Sequence, residues 1–171
     1  MEFRELDKDI ESLFTEYINE WYENEEPVVP WATDVRQHGG FDKMLIMLEE
    51  AKDPVDANFV KAKTYVLIDD DKIVGAVNIR YALNDYLNKK GGHVGYGVRK
   101  SERGKGYATK LLNYAVKNLN NEGVNSVLVT CDESNDASAK VIINNNGVED
   151  EPYKSDEQEN TRRFWINHLQ N

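Results

Sequence analysis

The chain has 171 residues, 40% hydrophobic and 30% charged, which suits one globular domain whose core needs no covalent staples. Its 31 acidic residues against 21 basic ones leave a formal net charge of -10, the wrong sign for holding nucleic acid by neutralising phosphates. A single cysteine, Cys131, excludes an internal disulfide and argues against a cysteine zinc site, and the three scattered histidines suggest no metal.

The opening Met1 to Asp7 is acidic and mixed, unlike a signal peptide, and no apolar run approaches the roughly 20 residues of a membrane span. A cytoplasmic protein without membrane contact is expected. From Asp7 to Glu23, Ile10, Leu13, Phe14, Tyr17, Ile18 and Trp21 recur at helical spacing, until Pro27 and Pro30 break the pattern. Phe41, Met44, Leu45 and Leu48 predict a second short helix that ends before Pro54. The aromatics Trp21, Tyr22 and Trp31 and the acidic run at 23–26 fall in this first part; core packing and a solvated loop account for them.

The period changes at Thr64. Residues 65–68 and 73–79 read as a hairpin turning at Asp69 to Lys72, and Asn84 to Lys90 reads as a loop with room for a helical turn. His93 to Val98 is a further strand, and Gly95 and Gly97 mark a bulge or a place where another chain or a ligand approaches its backbone. Ala108, Leu111, Leu112, Ala115, Val116 and Leu119 then form one apolar stripe, with Gly123 where a C-terminal cap belongs. Val124 to Cys131 predicts a β-branched strand, and a helix carrying Ala137, Val141 and Ile142 runs to the turn at 144–147. Thr161 to Leu169 is the last strand. With no repeat and no linker, this order predicts one α/β domain over 1–171, a sandwich around a mixed sheet.

The segment from Arg99 to Ala108 sits between a strand and an amphipathic helix, which is the arrangement of an anion site. The first amides of a helix lack internal acceptors and point along the positive end of its dipole. Gly104 and Gly106 let an anion approach the backbone, and Arg103 and Lys105 add positive charge. Neither common nucleotide loop fits. No GxxxxGK followed by Ser or Thr occurs, and Thr109 stands where GxGxxG needs its third glycine.

Arg103, Gly106 and Ala108 instead fill the acyl-CoA motif of the GNAT superfamily of N-acetyltransferases, which the chain resembles from about Tyr65 to Gly147. Val98 lies at the usual distance before the motif, and Asn135-Asp136-Ala137-Ser138 looks like the family's second motif. More narrowly, Asn84, Leu87, residues 91–96 and residues 101–103 resemble a group of bacterial proteins described only as predicted acetyltransferases.

The resemblance implies an α/β fold with a mixed, mostly antiparallel sheet flanked by helices, and transfer of an acetyl group from acetyl-CoA to a primary amine, on a small molecule or a protein N-terminus, by a monomer or homodimer. It implies that the backbone amides of Arg103, Gly104, Lys105, Gly106, Tyr107 and Ala108 bind the pyrophosphate. Val98 and Arg99 would flank the pantetheine arm, with Asn135 and Ser138 near it; Asn135 equally suits a helix N-cap. The net charge would favour a cationic acceptor, or serves solubility alone.

The usual tyrosine acid position is Ile142 here, which donates no proton and keeps open a catalytically silent acyl-CoA-binding module. His93 stands where relatives carry a basic glutamate, so it is a candidate base or a structural histidine. Tyr96 and Tyr86 are the candidate donors, and Cys131 is expected to be an inert small hydrophobe.

Overall fold

The computed structural model describes residues 1–168. A short strand, β1 (Glu2–Glu5), opens the chain, and a helical turn at Lys8–Ile10 leads into α1 (Glu11–Glu23). The face of α1 that its spacing predicts, with Phe14, Tyr17, Ile18 and Trp21, is buried. The turn Trp31–Thr33, α2 (Val35–His38) and α3 (Phe41–Glu50) complete the first third.

Strands β2 (Ala62–Asp69) and β3 (Lys72–Arg80) form the predicted hairpin, with Asp70 and Asp71 at positive φ in its turn. Aspartate tolerates that conformation because its short side chain bonds locally. The loop that follows holds α4 (Asp85–Lys89), whose first turn is capped by the Asn84 side chain accepting from the Leu87 N–H. Then come β4 (Val94–Val98), α5 (Tyr107–Asn121), β5 (Ser126–Asp132), α6 (Asp136–Asn144), β6 (Val148–Tyr153) and β7 (Thr161–Asn167). Leu169, at the end of the predicted last strand, lies outside the described residues.

Helices flank mostly antiparallel strands, as the resemblance implies, but the strands divide into two sheets. One has the order β1-β2-β3-β4 and the other β5-β7-β6, and every paired neighbour is antiparallel. Strand β3 is buried on both sides. Ile73 and Ala76 pack with the α1 face, and Val77 and Ile79 pack with Leu111, Leu112 and Leu119 of α5. This is why β3 reads as a nearly continuous apolar run rather than an alternating one.

The two sheets meet just before β4. The His93 N–H donates to the Leu128 carbonyl at 2.8 Å, and the Leu128 N–H donates back to His93 Nδ1 at 2.8 Å. No ladder joins β4 to β5, and a cleft of about 370 Å³ lies between them, lined by Tyr96 on one side and by Cys131, Asn135 and Ser138 on the other.

Candidate active site

The site starts where β4 ends. From Val98 the chain turns through a short helical turn at Lys100–Glu102 and enters α5 with Gly106 as its N-cap. Gly104 and Gly106 hold φ of +76° and +83°, and nothing within 4 Å would meet a Cβ at either. Backbone conformation therefore demands glycine there, and the space over the loop stays open. The first helical bond runs from the Lys110 N–H to the Gly106 carbonyl. The amides of Tyr107, Ala108 and Thr109 precede it, and no side chain caps them. They form a donor row at the positive end of a 15-residue helix, suited to an anion with several oxygens.

The loop's cations behave differently from the sequence expectation. Arg103 does not project a free charge. It forks onto Glu26 at 3.1 and 2.5 Å, donates from Nε to the Val98 carbonyl at 3.0 Å, and lies over the Trp21 ring. Lys105 binds the buried Glu102 carboxylate at 2.8 Å, which Lys72 also binds at 2.6 Å. Both side chains brace the loop, which leaves anion binding chiefly to the amides. The Tyr107 hydroxyl adds a further tie by donating to Asp69 at 2.7 Å.

The Arg99 guanidinium is buried against α1, bonded to Glu20 at 2.5 Å and Glu16 at 3.1 Å. Its amide is also engaged, donating to the Val74 carbonyl at 3.0 Å. Its work is to tie β4 to α1. Val98 keeps its place at the end of β4, paired with Gly75 of β3 on one edge, while its carbonyl accepts from Arg103.

The glycines of β4 have a structural cause. A Cβ on Gly97 would sit 2.1 Å from the Val29 carbonyl oxygen, and one on Gly95 would sit 3.1 Å from Arg80 Nη2 and 3.7 Å from Pro30. The chain that approaches this backbone is therefore the protein's own segment around Val29 and Pro30, which walls one side of the cleft.

His93 lies where the two sheets meet. Its Nδ1 accepts from the Leu128 amide, so the ring proton belongs on Nε2 and the lone pair that a base would use is occupied. Burial, with Arg80 nearby, lowers its pKa to about 4. It pins the two sheets together and is a poor base at neutral pH. This has a measurable consequence. Between about pH 6.5 and pH 4 the unfolded histidine takes up a proton that the folded one does not, so stability falls as pH drops through that window. The expected loss reaches roughly 3 kcal/mol, at about 1.4 kcal/mol per pH unit. Melting temperatures from pH 7 to pH 4 should show it, and His93→Asn should flatten the slope; an unchanged slope would contradict this protonation state.

Tyr96 is placed differently. From β4 its hydroxyl crosses the cleft to Ser138 Oγ at 2.9 Å on α6. Burial pushes its pKa up to about 12. Ser138 sits one helical turn before Ile142, and Ile142 itself is fully buried in the core. Asn135 caps α6, its Oδ1 accepting from the Ser138 N–H at 3.1 Å, and it lines the cleft. Cys131 is buried, and burial raises its pKa to about 11, far from a reactive thiolate. Tyr86 stands exposed at the rim.

The cleft also contains residues that the sequence reading passed over, notably Arg80, Lys90, Thr130 and Thr161. They come from three strands and a loop, and none belongs to a local motif. Among the described residues, no three His, Cys, Asp or Glu side chains gather closely enough to hold a metal ion, and no helix is long and apolar enough to cross a membrane.

Solved structures share this architecture. Ribosomal-protein-S5-alanine acetyltransferase from Vibrio fischeri superposes with a TM-score of 0.70 at 18% identity, covering 97% of this chain and 92% of its own. A ribosomal L7/L12 alpha-N-protein acetyltransferase in complex with coenzyme A gives 0.69 at 16%, covering 97% and 93%. A spermidine N-acetyltransferase chimera from Vibrio cholerae and hSSAT gives 0.61 at 15%, covering 98% and 96%. No curated protein matches the chain by sequence. At these identities the structures establish the fold, and the sequence itself matches the Acetyltransferase (GNAT) family over residues 10–142. The chain therefore belongs to the acetyltransferase (GNAT) family.

Proposed function

We propose that this protein transfers an acetyl group from acetyl-CoA to a primary amine, of a small molecule or a protein N-terminus. The observation that carries the reading is continuity. Strand β4 carries Tyr96 on the wall of the cleft and leads, through the loop that follows Val98, into the uncapped amide row at the start of α5. Acetyl-CoA, when bound, supplies the acetyl group as a thioester. The amides of Tyr107, Ala108 and Thr109 suit its pyrophosphate, because they lack protein acceptors and the space before them is open.

The neutral amine attacks the thioester carbon; the C–N bond forms as the C–S bond breaks, and the amine's proton leaves to water. Tyr96 serves the departing sulfur. With a pKa of about 12 it stays protonated at any working pH. Handing its proton fully to a thiolate of ordinary pKa near 8.5 is uphill. Its role is therefore to donate a hydrogen bond that stabilises the thiolate, which then takes its proton from solvent. Tyr96 thus reaches α6 within one turn of Ile142, the position where the resemblance places a tyrosine.

The test is coenzyme A release, corrected for hydrolysis, with acetyl-CoA and a panel of primary amines. Amine-dependent release is expected, with Tyr96→Phe lowering kcat by about 10²-fold while the acetyl-CoA Kd stays unchanged. A Tyr96→Phe kcat within threefold of wild type would remove Tyr96 from the chemistry. Binding without release for every amine would make the protein a silent acyl-CoA-binding module.

A further inference from the structure

Arginines in this chain are generally paired. Arg4, Arg99, Arg103, Arg162 and Arg163 each meet a carboxylate, and Arg36 is exposed and stacked on Tyr22. Arg80 differs. It is half-buried at the end of β3 and lines the cleft, yet among the described residues no carboxylate comes within ion-pairing distance. Its Nη1 donates to the Gly91 and Gly92 carbonyls at 2.7 and 3.0 Å. Those bonds fix the guanidinium plane and leave the Nε and Nη2 edge without an acceptor among the described residues. Burial moves its pKa below the ordinary arginine value, and Tyr86 is the one neighbour that opposes the shift. A chain with 31 acidic residues has thus left its inward-facing arginine uncompensated, an arrangement that costs stability unless an anion arrives.

Three further features share that cleft. Gly95 has no side chain where a Cβ would come 3.1 Å from Nη2, so the guanidinium edge stays uncovered. Lys90 also lines the cleft and, among the described residues, is bonded only to the neutral amide of Gln158. The Thr161 hydroxyl, likewise lining it, is buried with no partner among the described residues. Asp132 is the one carboxylate on the cleft wall among the described residues; it lies on β5, outside ion-pairing distance of both cations, and it suits the ammonium end of a ligand.

Resting on the acetyl-transfer reading above, we propose that the acceptor is a small amine that also carries a carboxylate, held on the Nε and Nη2 edge of Arg80. That edge offers two parallel donors, the geometry that matches two carboxylate oxygens. A cavity of about 370 Å³ is at the small end for ligand sites and accommodates an amino acid.

The experiment measures acetyl transfer to glycine, β-alanine and 4-aminobutyrate, each against its own carboxamide, with phosphoethanolamine as the competing anion. At least one acid should exceed its carboxamide tenfold or more in kcat/KM. Arg80→Gln should reduce that acid to the level of its carboxamide, with Arg80→Lys intermediate, while acetyl-CoA still raises the melting temperature. Calorimetric binding of the acid's N-acetyl derivative should weaken at least tenfold in Arg80→Gln. Carboxamides as good as the acids, no acid accepted, preference for phosphoethanolamine, or unchanged binding in Arg80→Gln would each overturn the proposal. If neither variant folds, the wild-type ratio of acid to carboxamide decides. Loss of the acetyl-CoA response in the wild type would instead overturn the cofactor reading.

Discussion

A Gly106→Val protein is expected to fold and to bind acetyl-CoA at least tenfold more weakly than the wild type. Gly106 caps α5 at φ +83°, and the left-handed region costs a side-chain-bearing residue roughly 1–2 kcal/mol. Nothing within 4 Å resists a Cβ there, so the fold has no packing reason to fail. The damage falls on the site. Either the loop relaxes and re-aims the amides of Tyr107, Ala108 and Thr109, or the valine stands in the open space before them. A loss of about 1.4 kcal/mol is tenfold in Kd. Calorimetric titration measures it, with circular dichroism to check the fold. A Kd within threefold of wild type would mean that this helix start is not the phosphate cradle.

The largest effect on stability is expected from Gly92→Ala. Gly92 has φ +58°, and a Cβ on it would lie 2.4 Å from the Leu128 carbonyl oxygen and 3.0 Å from its carbon. Both obstacles are backbone atoms of β5, so they cannot step aside as a flexible side chain does. The two sheets would have to separate at the very point where His93 and Leu128 exchange their hydrogen bonds. Overpacking costs about 1–3 kcal/mol and the left-handed backbone about 1 more. A combined loss near 3 kcal/mol lowers the melting temperature by roughly 6–12 °C in a domain of this size. Gly123→Ala is the control, because Gly123 has φ +87° but open space around it. If Gly92→Ala melts no lower than Gly123→Ala, the close approach at Leu128 is not what holds the sheets together.

What was legible in the sequence was local. The stripe from Leu111 to Leu119 becomes α5 because its period matches the helix, and the Arg103 to Ala108 loop is readable because its glycines and the following helix start are neighbours in sequence. Strand β6 escaped notice for the opposite reason. Val-Glu-Asp-Glu-Pro-Tyr is an almost wholly exposed edge strand with no buried face to impose alternation, held through β7 by pairs such as Arg162 with Glu149 and Arg163 with Asp150. Strand β1 is likewise only four residues long.

Side-chain roles were the least legible, because their partners are far away in sequence. His93 looks like a base until Leu128, 35 positions later, occupies its Nδ1. Arg99 looks like part of the anion loop until Glu16 and Glu20 on α1 claim its guanidinium. Arg80 carries no local signal at all, since only the fold brings the end of β3, the α4 loop and Thr161 to one cleft. The residue types were visible, but their company was not.

The central claim is that the amides opening α5 and the cleft beside β4 hold acetyl-CoA. The melting temperature of the wild-type protein across an acetyl-CoA titration tests it most directly. Ligand at 100 times its Kd should add about 2.7 kcal/mol of stability, raising the melting temperature by roughly 5–10 °C. A melting temperature that stays flat up to millimolar acetyl-CoA would contradict the account.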